Sequence, residues 1–260
     1  MDWGTFFALF PIGIAIGFIA SILGLGGGVF MTPLLLLGGF VASQPDAAGT
    51  SVAAVVFTGI SSSIAYFGRK VIDFRIGLSF MPTAILGVFL GKAIISAVNP
   101  SSLTIAFGIF LLYPVGMMLL GKTPKDAKTR LKGWSSGPRY YLLVGVIGLV
   151  AGVATKLFGI GGGTVFVPSL VVLLGIDIVT AAATSLFVMI PIALISAITS
   201  WTAGTLHWAL ALPLILGIII GAQVGPRVGK SISKKRLRQV FGIVLLYAAA
   251  NMITKGIVSL

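Results

Sequence analysis

Apolar runs of about 20 residues recur along the whole chain and alternate with short polar stretches, and a helix of that length crosses a bilayer. The runs predict an all-α integral membrane protein with ten helical segments, five in each half of the chain. The predicted segments fall near residues 4–23, 28–40, 47–67, 76–97 and 101–120 in the first half, and near 140–158, 163–175, 178–203, 206–226 and 240–258 in the second.

The second segment of each half is too short to cross the bilayer comfortably. About 13 residues at about 1.5 Å per residue cover about 20 Å of a hydrocarbon core about 30 Å thick. Each short segment is therefore expected either to be tilted and buried in protein or to form half of a re-entrant hairpin. The sequence leaves both arrangements open.

The two halves of the chain are related in sequence. GLGGGVFMTP matches GIGGGTVFVP, AAGTS matches AAATS, GVFLG matches GIIIG and FGIFLLY matches FGIVLLY, in the same order in both halves. The matches predict a tandem duplication within a single membrane domain. Its parts are a first repeat at 1–120, a basic linker at 121–139 and a second repeat at 140–260.

The basic residues predict that the repeats have inverted topology, because loops rich in Lys and Arg face the cytoplasm. The loop after the third segment is basic only in the first repeat, and the loop after the fourth segment is basic only in the second. Equivalent loops then lie on opposite sides, the linker is cytoplasmic and both termini face outward. The basic loop residues are Arg69, Lys70 and Arg75 in the first repeat, and Arg227, Lys230, Lys234, Lys235, Arg236 and Arg238 in the second. Inverted repeats with interrupted helices are typical of transporters whose broken segments meet near the midplane.

The composition argues against nucleic-acid binding, a metal site and catalysis. The net charge of +13 lies mostly in short loops, so it indicates topology rather than nucleic-acid binding. The chain has no cysteine and one histidine, so we expect no metal site and no cofactor. The acids lie at segment ends or in loops, which leaves no acid–base set, and the chain is predicted not to be an enzyme. They are Asp2, Asp46, Asp73, Asp126 and Asp177.

The duplicated glycine blocks are the first candidate site. We name residues 24–28 the first elbow and residues 159–163 the second elbow. Consecutive glycines permit positive φ and expose N–H groups, and the helix that follows begins with its positive dipole end, which binds anions. Two such elbows meeting at one point would hold a small anion from both sides. The alternative is that the glycines only allow close helix crossing. The candidate residues are Gly26, Gly27, Gly28, Gly161, Gly162 and Gly163.

Lys156 and two hydroxyl pairs complete the candidate set. A lysine within a membrane segment is costly and needs a partner, and an anionic substrate would supply one. The alternative is a side chain that extends to the outer interface. The hydroxyls could donate to an anion, coordinate a sodium ion or bond back to their own helix. They are Thr50, Ser51, Thr184 and Ser185.

These motifs resemble the TauE/SafE sulfite exporter family over essentially the whole chain. The resemblance lies in the paired GxGGGxxxxP blocks, the AxxTS pairs, the charged linker and the length. It implies a multi-pass plasma-membrane transporter, most often an exporter, of small sulfur-containing or organic anions such as sulfite or sulfoacetate. It also implies that the two elbows and the hydroxyl pairs form the site. Lys156 is not part of the resemblance.

The expected mechanism is alternating access, with part of each repeat rocking against the rest. The coupling stays open between a proton carried on the substrate, a sodium ion and uniport. The alternative function is an anion channel with the same midplane site, which would need a continuous polar pore. The sequence does not specify the oligomeric state.

Overall fold

The computed structural model describes residues 3–120, 137–228 and 234–259, which contain ten α-helices and no strand. The all-α class is confirmed. The helices are α1 Trp3–Leu23, α2 Gly28–Leu37, α3 Gln44–Phe67, α4 Phe74–Ala97, α5 Pro100–Leu120, α6 Pro138–Phe158, α7 Gly163–Pro168, α8 Ile178–Thr202, α9 Trp208–Val228 and α10 Lys234–Val258. Most of the predicted linker, together with Asp2, Asp126 and Lys230, lies outside the described residues.

Eight of the described helices are long and apolar enough to cross a membrane. The exceptions are α2 and α7, the two short segments. The ten residues of α2 cover about 15 Å, roughly half of a bilayer core. The protein is therefore a multi-pass membrane protein with one short helix in each half.

Both short helices end earlier than the sequence predicted. The helix α2 stops at Leu37 because Gly38 and Gly39 follow, and Gly39 has a positive φ of 72°. The helix α7 stops at Pro168 and continues as a π-helical turn over Ser169–Leu173. Proline disrupts the regular hydrogen-bond ladder, which explains the change of helix type at this residue.

The carboxylates lie at helix ends because they cap helices. Asp73 accepts a hydrogen bond from the N–H of Ile76 at the start of α4, at 3.0 Å. Asp177 caps α8 in the same way. Ser43 caps α3 by accepting from the N–H of Asp46, which starts that helix three residues before its predicted position. These acids stabilise helix starts and stay out of the bundle centre.

Glycine pairs bring two pairs of helices into close contact. A Cβ on Gly17 of α1 would lie 2.7 Å from the carbonyl oxygen of Ile218 on α9. A Cβ on Gly152 of α6 would lie 3.0 Å from the Cα of Gly87 on α4. Each pair joins one helix from each half, and since α1 matches α6 and α4 matches α9 in the sequence, the same contact between the halves occurs twice. Small residues at these crossings let the backbones approach.

Matching helices of the two halves meet and run antiparallel in two places. Gly49 near the start of α3 lies against Ser200 near the end of α8, and Gly59 lies against Ile190. The helices α5 and α10 pack in the same antiparallel way. Among the described spans, α3 and α8 are the most buried and form the centre of the bundle.

Candidate functional site

The two elbows meet backbone to backbone at the centre of the protein. A Cβ on Gly28 would overlap the carbonyl oxygen of Gly159, and a Cβ on Gly163 would overlap that of Gly24. These contacts are equivalent under the repeat. Because the elbows touch in this conformation, an anion could lie between them only after they separate.

The elbow backbone requires glycine. The φ angles of Gly26 and Gly27 are 76° and 85°, and those of Gly161 and Gly162 are 74° and 79°. Side chains strongly disfavour this region, so glycine is the residue that allows it. Gly27 and Gly162 immediately precede the first residues of α2 and α7, so each elbow turns the chain directly into a helix start.

No backbone hydrogen bond between described residues is donated by the N–H groups of the three consecutive glycines at the helix start of either elbow. All six residues are buried. Buried backbone N–H groups without a partner are rare, and each is costly. Each elbow therefore presents three consecutive donors at the positive end of a helix, a donor set suited to an anion. The donors belong to Gly26, Gly27, Gly28, Gly161, Gly162 and Gly163.

Two apolar side chains cover the elbows. A Cβ on Gly26 would lie 2.7 Å from the sulfur of Met189 on α8 and 3.3 Å from Cγ1 of Val55 on α3. A Cβ on Gly161 would contact the same two side chains. Val55 and Met189 occupy equivalent positions in the two repeats. The site is closed by apolar groups in this conformation.

The two predicted serines hold the elbows from the opposite half. The hydroxyl of Ser185 donates to the carbonyl of Gly24 at 3.0 Å, and that of Ser51 donates to the carbonyl of Gly159 at 3.3 Å. Ser51 also shares a 2.7 Å hydrogen bond with the hydroxyl of Thr32 on α2. Sequence reasoning missed Thr32, although it is the one hydroxyl residue of α2.

The two predicted threonines hold loops of the opposite half. Thr50 accepts from the N–H of His207 at 3.1 Å, in the loop before α9. Thr184 accepts from the N–H of Asp73 at 3.0 Å, in the loop before α4. In this conformation all four predicted hydroxyls bond to backbone groups in the other half of the chain. Direct contact with a substrate stays a prediction.

Lys156 lies inside the protein and does not extend to the interface. Its side chain is 5% exposed, and its Nζ donates to Ser200 Oγ at 2.7 Å and to the carbonyl of Ser196 at 3.4 Å. Its stem packs against Gly91 of α4. No described carboxylate lies within salt-bridge distance of Lys156. The ammonium is held by neutral groups, which leaves its charge available to an anion.

A second lysine acts on the short helix α2 from its other end. Lys255 of α10 donates from Nζ to the carbonyl of Leu36 at 2.7 Å. A cation at the carboxyl end of a helix complements the helix dipole. Lys255 thus stabilises the orientation of α2 in which the N–H groups at the start of this helix are directed at the bundle centre.

The described residues offer backbone donors at the elbows and one buried cation, Lys156, on the preceding helix. They contain no group of three or more His, Cys, Asp or Glu side chains that could hold a metal ion. Their one histidine, His207, lies 3.5 Å from the carboxylate of Asp46 and is half-exposed. Backbone donors and a buried cation are the groups that suit an anion.

Comparison with known proteins assigns the chain to a group of transporters. A family profile described as "Sulfite exporter TauE/SafE" matches residues 9–252. "Probable membrane transporter protein YunE" of Bacillus subtilis is 30% identical over 272 residues, which cover 98% of this chain and 100% of that protein. A "Probable membrane transporter protein" of Xylella fastidiosa is 28% identical over 247 residues, 94% of each chain. No solved structure matches this chain significantly.

Proposed function

Since this chain belongs to the sulfite exporter TauE/SafE family of membrane transporters, we propose that it exports small sulfur-containing or organic anions such as sulfite or sulfoacetate. The observation that carries the proposal is the set of elbow glycine N–H groups that donate no backbone hydrogen bond among the described residues. An oxyanion accepts several hydrogen bonds at once, and backbone dipoles bind it without placing many full charges in the membrane.

We infer that the halves are inverted repeats, with boundaries at 1–120, 121–139 and 140–260. The antiparallel contacts between equivalent helices support this inference, as does the recurrence of the α1–α9 packing in α6 and α4. In the proposed topology the chain lies in the plasma membrane, the basic loops are cytoplasmic and both termini face outward.

Transport would follow alternating access. The elbows separate, Val55 and Met189 move off the N–H groups, and the anion replaces the contact between the elbows. Lys156 supplies the balancing charge, since its ammonium bonds to neutral groups alone among the described residues in the closed conformation. The four duplicated hydroxyls hold elbows and loops and exchange partners as the halves move.

Cysteine labelling tests the inverted topology. The natural chain has no cysteine, so single cysteines report without background. We expect Asn99→Cys to react with a membrane-impermeant maleimide from outside intact cells. We expect Lys70→Cys to react only after the membrane is opened. Reaction of both variants from the same side would contradict the topology. Lys230, also predicted to be cytoplasmic, lies outside the described residues.

Counterflow tests the transport reaction and separates it from an anion channel. Proteoliposomes loaded with unlabelled sulfite should accumulate radioactive sulfite transiently and saturably, because an alternating-access carrier exchanges substrate across the membrane. A channel would show a sulfite current without counterflow. Repeating the assay with sodium and pH gradients identifies the coupling ion. Liposomes without protein supply the control, and equal uptake by both preparations would contradict the proposal.

A further inference from the structure

Two buried hydroxyls without a partner occupy equivalent positions in the two repeats. Ser62 on α3 is 0% exposed and Ser196 on α8 is 1% exposed. Neither hydroxyl oxygen has a hydrogen-bond partner among the described residues. Ser62 and Ser196 are separated in the sequence by the same number of residues as the matching motifs AAGTS and AAATS. An unpaired buried hydroxyl is costly, and its occurrence at the same place in both halves indicates a shared role.

Ser62 and Ser196 lie on opposite sides of the elbows. Ser62 follows Val55 by seven residues, which places it two turns further along the same face of α3, about 10 Å away. Ser196 follows Met189 on α8 by the same spacing. Since Val55 and Met189 cover the elbows and the two helices are antiparallel, the hydroxyls lie in opposite directions from that centre.

Each hydroxyl has a polar neighbour one turn further along its helix. Beyond Ser62, the hydroxyl of Tyr66 donates to the carbonyl of Ser21 at 3.1 Å. Beyond Ser196, Ser200 accepts from Lys156 at 2.7 Å. Tyr66 corresponds to Ser200 under the repeat, and Ser21 corresponds to Lys156. The same two positions thus meet in both halves, through different groups, and only the second contact has a cation.

We propose that these two arrangements are anion subsites that flank the elbows and that a small oxyanion occupies them on its way through the protein. The proposal rests on the proposed function and extends it. The inner subsite, toward the basic loop after α3, consists of Ser62 and Tyr66. The outer subsite consists of Ser196, Ser200 and Lys156. Lys156 makes the outer subsite the stronger one, because a hydrogen bond to an anion is strengthened by full charge on the donor.

Sided transport assays test the two subsites separately. Radioactive sulfite transport is measured in right-side-out and inside-out vesicles for Ser62→Ala, Ser196→Ala and the control Ser63→Ala. Ser63 is also buried and unpaired, but its equivalent in the second repeat is Ala197. Loss of one hydroxyl donor should raise the half-saturating concentration about fivefold. We expect this change at the cytoplasmic face for Ser62→Ala, at the outer face for Ser196→Ala and at neither face for Ser63→Ala.

Unchanged half-saturation at both faces for Ser62→Ala and Ser196→Ala, with wild-type transport intact, would overturn the subsites and leave the proposed function standing. Wild-type vesicles that move neither sulfite nor sulfoacetate would defeat the proposed function, and the subsites with it. The two failures are therefore distinguishable in one experiment.

Single cysteines keep the proposal testable if an alanine variant folds poorly. Ser62→Cys and Ser196→Cys retain side-chain volume closely and are the only thiols in their proteins. We expect a charged maleimide to label residue 62 from the cytoplasmic face and residue 196 from the outer face, and sulfoacetate to slow both reactions. Labelling that sulfoacetate does not affect, in a variant that still transports it, would overturn the subsites.

Discussion

Replacing Gly28 with alanine is expected to destabilise the protein by about 3 kcal/mol or more and to abolish transport. The new Cβ would overlap the carbonyl oxygen of Gly159 and lie 2.8 Å from the Cα of Ile160. Both neighbours are backbone atoms of the other elbow, so no side-chain rotation relieves the overlap. We expect the apparent melting temperature of the purified protein to fall by about 10 °C.

Two further variants accompany this prediction, one a control and the other the matching change in the second elbow. Gly116→Ala in α5 adds the same methyl group where no described atom beyond its own stretch of helix lies within 4 Å, so we expect an almost unchanged melting temperature. Gly163→Ala should repeat the effect of Gly28→Ala, because its Cβ would overlap the carbonyl oxygen of Gly24. Wild-type stability and transport in both elbow variants would contradict the contact between the elbows.

Replacing Lys156 with methionine is expected to weaken sulfite transport at least about tenfold while the protein stays folded. Methionine keeps the length of the side chain and removes the charge. Among the described residues the ammonium has only the Ser200 hydroxyl and the Ser196 carbonyl as partners, so its removal costs little in stability. An anion that loses a charged donor loses about 1.5–3 kcal/mol of binding free energy, which is a factor of ten or more. Sulfite half-saturation and melting temperature are measured on the same preparation.

The matched control is Lys92→Met, which makes the same change at an exposed lysine on α4. We expect nearly wild-type transport from it. Lys156→Arg keeps the charge and should retain part of the activity, although the larger planar group does not fit the hydrogen bond to Ser200 in the same way. Lys156→Met with wild-type half-saturation would show that this lysine is a structural residue.

The helical segments could be predicted because apolar runs long enough to cross a bilayer are visible in the sequence itself. The early end of α2 and the π-helical turn after α7 could not, since they depend on local backbone effects at Gly39 and Pro168. The predicted start of α3 missed the cap by Ser43.

For the candidate site, the sequence indicates which residues are candidates and does not indicate which groups they contact. The glycine blocks stand out as a duplicated motif, but no spacing in the sequence shows that Gly28 meets Gly159. The partners of Thr50 and Thr184 lie more than 100 residues away, in the other half of the chain. Ser62 and Ser196 can be matched from the sequence of the two halves. That their hydroxyls are buried without a hydrogen-bond partner among the described residues is seen only in the structure.

The binding of small anions to purified wild-type protein tests the central claim most directly. Melting temperature is measured with increasing sulfite, sulfoacetate, sulfate and the neutral analogue dimethyl sulfone. A ligand that binds only the folded protein raises the melting temperature with concentration. We predict that sulfite or sulfoacetate raises it, that dimethyl sulfone does not, and that the rise shrinks in Lys156→Met. A melting temperature that no anion changes, in protein that is folded and monodisperse, would contradict the claim that the elbows bind a sulfur oxyanion.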